Sequence, residues 1–281
     1  MDCQLERITV HYQEFGEGRP FFVLPGWPDP WQVPADYLEP LFIDRFGWRR
    51  IYLDLPGRGE TRGERWIQSN DDVLGVILDV IDRLTPTGPF VIGGQSAGAY
   101  LARAVLHRRV ERVAGLLEVV PVIRVDELPE ALPSPVTIVR DPTLVARVAA
   151  EFGAEMAEVF DSRIVMQTPD LYERFRALAP DLQRHDGSFL AMLSAREQLS
   201  FDIDALAVPF DGPSLFVMGR QDAVTGYQSA LGLVDAYPRA TMAVLDGAGH
   251  ALPYEQPHLF RALAREWLDR IERASSDIGE G

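Results

Sequence analysis

The stretch Gly94-Gln95-Ser96-Ala97-Gly98 sets one serine midway between two glycines. The apolar run FVIGG precedes it and the helical pattern AYLARAVL follows at once. Read together, these predict a strand that turns directly into a helix. Such a corner lifts the Ser96 hydroxyl clear of the sheet edge, at a helix N-terminus whose dipole favours developing negative charge. Glycines at 94 and 98 let strand and helix pass closely. This is a setting for a nucleophile. The plainer alternative is a glycine-rich turn that merely starts a helix.

A serine hydroxyl needs a base. Of five histidines, His11 falls in the first expected strand, His107 late in the helix after Ser96, and His185 in a central helical region. His258 opens the last helix. His250 lies in LDGAGHALPYEQP, a small-residue loop directly after a strand, where it reaches the same rim as Ser96. It is the candidate base. A histidine base needs a carboxylate to fix its tautomer. Asp222, in MGRQDAVTGY, follows the strand SLFVMG and fits that role. The competing acid is Glu118 in GLLEVVP, which has the weaker local pattern. Asp246 is expected to order the loop before His250. The chain order Ser96, Asp222, His250 is one of the known orders of this triad.

Acyl transfer also needs donors for an oxyanion. One is expected from the N–H of Ala97, after the nucleophile. The second is expected from the loop after PFFVL, where Pro25 and Pro28 have no N–H to give. Trp27 is the better candidate there, with Gly26 allowing close approach. The Trp27 ring either lines the pocket or packs.

The elements that must hold these residues alternate. ITVHYQEF, PFFVL, IYLDL, FVIGG and VAGLLEVVPV read as strands. Helical spacing appears over Asn70–Leu84, with Ser69 or Asn70 as N-cap, and over Ala97–His107. Strands resume at PSLFVMG and ATMAVLDG, before a final amphipathic helix over Leu259–Ile271. The pattern predicts an α/β fold with a mostly parallel sheet covered by helices. Residues 122–210 break it with helical stretches at Leu144–Phe160, Asp170–Leu178 and Ser188–Leu199. The expected organisation is a core of 1–121 and 211–281 with a helical insertion at 122–210. Asp54, Gly57 and Gly59 in LDLPGRG read as structural turn residues.

The whole chain bounds the chemistry. Its 281 residues suit one large domain with an insertion, and 47% are apolar. The net charge of −15 repels nucleic acid and anionic membranes. Every one of the 27 basic residues is arginine, so neither a Schiff base nor a lysine general base is available. The lone cysteine, Cys3, allows no internal disulfide and reads as structural. The opening MDCQLERITVHY lacks a basic segment before an apolar run, and no run reaches membrane-spanning length. A cytoplasmic protein acting on a small molecule is expected, with a polar tail after Ala274. No metal, nucleotide or other cofactor site is indicated.

FFVLPGWPDPW, IYLDLPGRGET, VIGGQSAGAYLARAVL, LFVMGRQD and LDGAGH together resemble the α/β-hydrolase fold family, in its serine-nucleophile branch with a helical cap. They span most of the core on both sides of the insertion. Two departures stand out. Many members have His-Gly where this chain has Pro25-Gly26, and Gly-Gly where it has Gly98-Ala99. The resemblance implies a serine esterase working through an acyl-enzyme, with the insertion as cap over the site. Gln95 and Trp27, with Phe152, Met156, Phe160, Met166, Phe189 and Met192 of the insertion, are the candidate pocket residues. For any single insertion residue, packing of insertion on core is the favoured alternative. The same triad also serves carbon–carbon bond hydrolases and lyases. An aminopeptidase would need acids for a free amine, for which Glu151, Glu155, Glu158 and Asp161 are available, although their spacing fits a solvated helix face. Dehalogenases and epoxide hydrolases of this fold use an aspartate nucleophile, so serine at 96 argues against both. A binding protein that kept the fold without hydrolysis is the rival from another class.

Overall fold

The computed structural model describes residues 1–123 and 132–276, so the start of the expected insertion and the end of the polar tail lie partly outside the described residues. Eight strands form one sheet: β1 (Asp2–Gln4), β2 (Thr9–Phe15), β3 (Arg19–Leu24), β4 (Trp48–Leu53), β5 (Phe90–Gln95), β6 (Val113–Val119), β7 (Ser214–Gly219) and β8 (Ala240–Leu245). Their order is β1-β2-β4-β3-β5-β6-β7-β8. β1 and β2 pair antiparallel, and β2 also runs antiparallel to β4. From β4 to β8 every pairing is parallel. The three-residue β1 carries no periodicity of its own and was not among the expected strands.

The central strands β3, β5 and β7 bury continuous runs without alternation because helices cover both faces. Phe22, Ile92, Leu116 and Phe216 face one core layer, while their neighbours Phe21, Val91, Leu117 and Leu215 face the other. Helices α2 (Asn70–Leu84) and α3 (Ala97–Arg108) cover the first face. Helix α1 (Gln32–Leu38) and the C-terminal helix, which starts at Pro257, cover the second. The bounds of α2 match the sequence expectation, and the Ser69 hydroxyl caps it by accepting from the Asp72 N–H.

Among the described residues between β6 and β7 are four helices: α4 (Pro142–Phe152), α5 (Ala154–Arg163), α6 (Pro169–Leu182) and α7 (Gly187–Ser194). The single helix expected over 144–160 is two, because Gly153 adopts φ +93° and breaks it. α7 stops at Ser194, short of the expected Leu199, whose N–H instead donates to the Tyr100 hydroxyl. α4, α5 and α6 bury a small core of their own around Val148, Phe160 and Tyr172. Among the described residues three short elements complete the later chain, α8 (Gln228–Leu231), a single turn at Val234–Ala236 and α9 (Leu252–Glu255), so the C-terminal helix, Pro257–Ser276, is α10.

Candidate active site

β5 ends at Gln95 and α3 begins at Ala97, leaving Ser96 as the only residue of the turn. It adopts φ +54° and ψ −121°, a conformation that L-residues adopt only under constraint. The constraint is visible in the flanking glycines. A Cβ on Gly94 would lie 2.2 Å from the Gly98 carbonyl oxygen, and one on Gly98 would lie 2.3 Å from that of Pro25. Neither position has room for a side chain.

Parallel strands deliver the other two groups to the same rim, Asp222 after β7 and His250 after β8. His250 Nδ1 is 3.0 Å from Asp222 Oδ2, and His250 Nε2 is 3.1 Å from Ser96 Oγ. An ionised carboxylate only accepts, so Nδ1–H donates to Asp222 and Nε2 is left to accept the Ser96 proton. Burial alone would push the Asp222 carboxyl up. The charge and hydrogen bond of His250, with the N–H groups of Val224 and Thr225, outweigh burial and hold it below its ordinary value. The Thr225 hydroxyl is shared between Asp222 Oδ2 at 2.8 Å and the Val120 carbonyl at 3.2 Å. Val120 itself sits at φ +40°, a second strained residue beside this chain of hydrogen bonds.

Glu118, the rival acid, faces α3 instead. Its Oε2 accepts from Arg103 Nη1 at 2.7 Å, and Arg103 Nε donates to Asp204 at 3.0 Å. Burial pushes the Glu118 carboxyl up and the guanidinium pulls it back. With Arg103 this close, the paired, ionised form fits the geometry. Asp246 orders its loop as expected, accepting from Gln221 Nε2 at 2.8 Å. Asp54 is likewise structural, accepting from the N–H groups of Trp31 and Glu60. His11, His107 and His185 bond to Asp2, the Ile203 carbonyl and the Leu182 carbonyl, and His258 is exposed.

The N–H groups of Trp27 and Ala97, the two expected oxyanion donors, have no acceptor among the described residues. Arg58 lies over the Trp27 ring at 4.4 Å from its centroid, and that ring packs against the core.

A cavity of about 100 Å³ opens between this rim and the inserted helices. Gln95 and His250 line it from the core, as do Asp29 and Tyr254, while Arg163 of α5 and Phe175 of α6 close it from above. Of the candidate pocket residues, Gln95 alone lines this cavity. Met156 and Phe160 are buried in the insertion's own core, and Phe152 packs at its edge. Phe189 fills the space over Gly57 and Gly63, with Met192 packed beside it against the core. Met166 pairs by backbone with Val139. The four acids considered for an amine site are elsewhere too. Glu151 accepts from the Tyr172 hydroxyl and from Arg176, Asp161 accepts from Arg140 and Gln167, and Glu155 and Glu158 are exposed. Asp29 and Arg163 were missed. Asp29 stands inside the PGWPDPW motif, where an acid so near the nucleophile's loop was the available signal. Nothing in the sequence singled out Arg163.

Glu255 joins the insertion to the histidine loop. Its Oε1 accepts from the N–H of Val165 at 2.5 Å, and its Oε2 from the N–H of Gly249 at 2.6 Å. Burial pushes this carboxyl up to about 7 against the pull of those donors. The folded value exceeds the ordinary 4.5, so the native state holds a proton that the unfolded chain releases. The stability this group contributes is therefore present at low pH and lost as pH rises through about 7. Urea denaturation of wild type and Glu255→Gln should show the wild-type advantage shrinking as pH rises from 4.5 to about 7. A difference independent of pH would refute this.

Comparison with known proteins places the site in context. A family model described as the alpha/beta hydrolase family matches residues 21–263. The non-heme chloroperoxidase CPO-A1 of Kitasatospora aureofaciens is 26% identical over 266 residues, covering 87% of this chain and 90% of that protein. A 2-hydroxy-6-oxononadienedioate/2-hydroxy-6-oxononatrienedioate hydrolase of Pseudomonas putida is 24% identical, covering 93% and 92%. Among solved structures, an alpha/beta superfamily hydrolase from Oenococcus oeni superposes with TM-score 0.83 at 24% identity, over 97% of this chain and 99% of that one. Among the described residues, no helix is long and apolar enough to cross a membrane.

Proposed function

We propose that this chain, which belongs to the alpha/beta hydrolase family, is a serine hydrolase that cleaves an ester or related acyl bond of a small substrate. One observation carries the reading: a strained serine bonded to a histidine that is in turn bonded to a buried carboxylate. Ser96 Oγ attacks the acyl carbonyl while His250 Nε2 takes its proton, and Asp222 steadies the imidazolium. The N–H groups of Ala97 and Trp27 receive the oxyanion. Collapse breaks the bond to the leaving alcohol, which departs with the proton from His250. Water then gives a proton to His250 and attacks the acyl-enzyme. The second tetrahedral intermediate expels Ser96, which regains the proton, and the acid is released. The inserted helices act as a cap that limits water at the reacting carbonyl.

The cavity also limits size. At about 100 Å³ the space beside the site is small, which favours a short acyl group. A fluorophosphonate probe should add its phosphonyl mass to wild type and not to Ser96→Ala. Across p-nitrophenyl esters, kcat/KM should be greatest at acetate to butyrate and fall about tenfold or more by octanoate. A folded wild type that takes no label and hydrolyses no ester would sink the proposal.

A further inference from the structure

Two acceptors in the cavity have nothing to accept from. Gln95 precedes the nucleophile, is 6% exposed, and its Oε1 is buried without a partner. Asp29 reaches in from the loop after β3. Its N–H closes a turn onto the Gly26 carbonyl at 3.0 Å, which folds the carboxyl back over Gly26. A Cβ on Gly26 would lie 2.8 Å from Asp29 Oδ2 and 3.4 Å from the Ser96 Cβ, so the carboxyl and the nucleophile flank the same glycine. Among the described residues it accepts no hydrogen bond and forms no ion pair. An unmet buried acceptor such as Gln95 Oε1 is costly and rare, and the half-buried Asp29 carboxylate, also without a protein partner among the described residues, lines the same cavity.

We infer that the site is built for an acyl group carrying an uncharged hydrogen-bond donor on the carbon next to its carbonyl, a 2-hydroxyacyl ester, with Asp29 and Gln95 as the receiving groups. This rests on the serine-hydrolase reading and names its substrate class. The position follows from the flanking geometry. Gln95 and the Asp29 carboxyl border Ser96, so they reach the first carbon beyond the carbonyl rather than the far end of the chain.

The charge balance selects a neutral donor. Arg163 from α5, His250 after β8, Arg58 from the loop after β4 and His185 from the loop after α6 act on Asp29 as positive or protonatable neighbours, with Arg163 the strongest. Tyr37 of α1 and Tyr254 of α9 also feel its charge. Burial pushes the Asp29 carboxyl up and these groups pull it back. An ammonium would add a cation where Arg163 already supplies one. A carboxylate would bring a second anion beside Asp29, and of the two arginines in the lining Arg174 is already paired with Asp36 at 3.0 Å. A hydroxyl donates to one acceptor and brings no charge.

The test compares the p-nitrophenyl esters of butyric, 2-hydroxybutyric and 2-aminobutyric acid, each kcat/KM divided by that ester's hydroxide-catalysed rate. Wild type should prefer the hydroxy ester over butyrate by about tenfold or more, the scale of a hydrogen bond to a charged acceptor. Asp29→Leu and Gln95→Met should each cut that preference several-fold. Because it is a ratio on one enzyme sample, partial misfolding does not alter it. Equal rates for butyrate and 2-hydroxybutyrate, a preference unchanged in both variants, or a faster amino ester would each overturn the inference. Fluorophosphonate labelling of Ser96 with no such preference overturns the substrate class alone. Absence of labelling overturns the hydrolase reading, and the substrate class with it.

Discussion

Replacing His250 by alanine is expected to lower kcat/KM toward short p-nitrophenyl esters by about 10⁴-fold or more. The imidazole is both the acceptor of the Ser96 proton and its donor to the leaving group, and no other histidine reaches the serine. His250 Nε2 is the hydrogen-bond partner of Ser96 Oγ, and the remaining four histidines are bonded elsewhere or exposed. Asp222→Asn should fall by a similar factor, because an amide in that place can donate to Nδ1 and favour the wrong tautomer. The losses should not add. The double variant Ser96→Ala/His250→Ala should retain about as much activity as either single variant, since the groups act as a unit. Steady-state kinetics on folded variants, checked by circular dichroism, decide this. His250→Ala within tenfold of wild type would mean that another base works at Ser96.

Arg103→Met is expected to destabilise the fold by about 3–5 kcal/mol without touching the reacting groups. The guanidinium is fully buried, and besides Glu118 and Asp204 it satisfies the carbonyls of Val122 and Ile123. Its loss strands the Glu118 carboxylate in the core between α3 and β6. The expected fall in Tm is about 10 °C, from the usual scaling for a chain of this size. Adding Glu118→Leu to Arg103→Met should recover much of the loss, because a buried pair removed whole costs less than one broken in half. A single variant within about 1 kcal/mol of wild type would show that the pair is dispensable.

Glu118 shows both the reach and the limit of the sequence. The serine corner, the histidine loop and the acid after β7 were legible because each rests on local chemistry: a turn that only glycine permits, a loop at a strand end, a fixed order along the chain. What a side chain faces in three dimensions is not local. Along α5, Met156 and Phe160 are spaced four apart and fill the insertion's core, while Val159 and Arg163, also four apart, line the cavity. Apolar content alone points to the first pair. Which stripe meets the core depends on how α5 is set after the break at Gly153, and that orientation is tertiary. Asp29 was hidden for a different reason. A carboxylate in a turn motif reads as turn chemistry, and only the fold over Gly26 reveals that it borders Ser96.

The placement of the inserted helices also imposes a timetable on synthesis. β6 ends at Val119 and its neighbour β7 begins at Ser214, so the ribosome must add the whole intervening stretch before that edge is paired. At about 5–20 residues per second, β6 waits roughly 5–20 s with an apolar flank open. β6 is buried along nearly its whole length in the finished sheet, which makes the waiting edge a template for other nascent chains. Ser96 is already on the chain by then, while Asp222 and His250 have yet to be made. The nascent protein is thus most prone to aggregation while its chemistry is still unassembled, and slowing translation before β7 should lower soluble yield more than the same pause after β8.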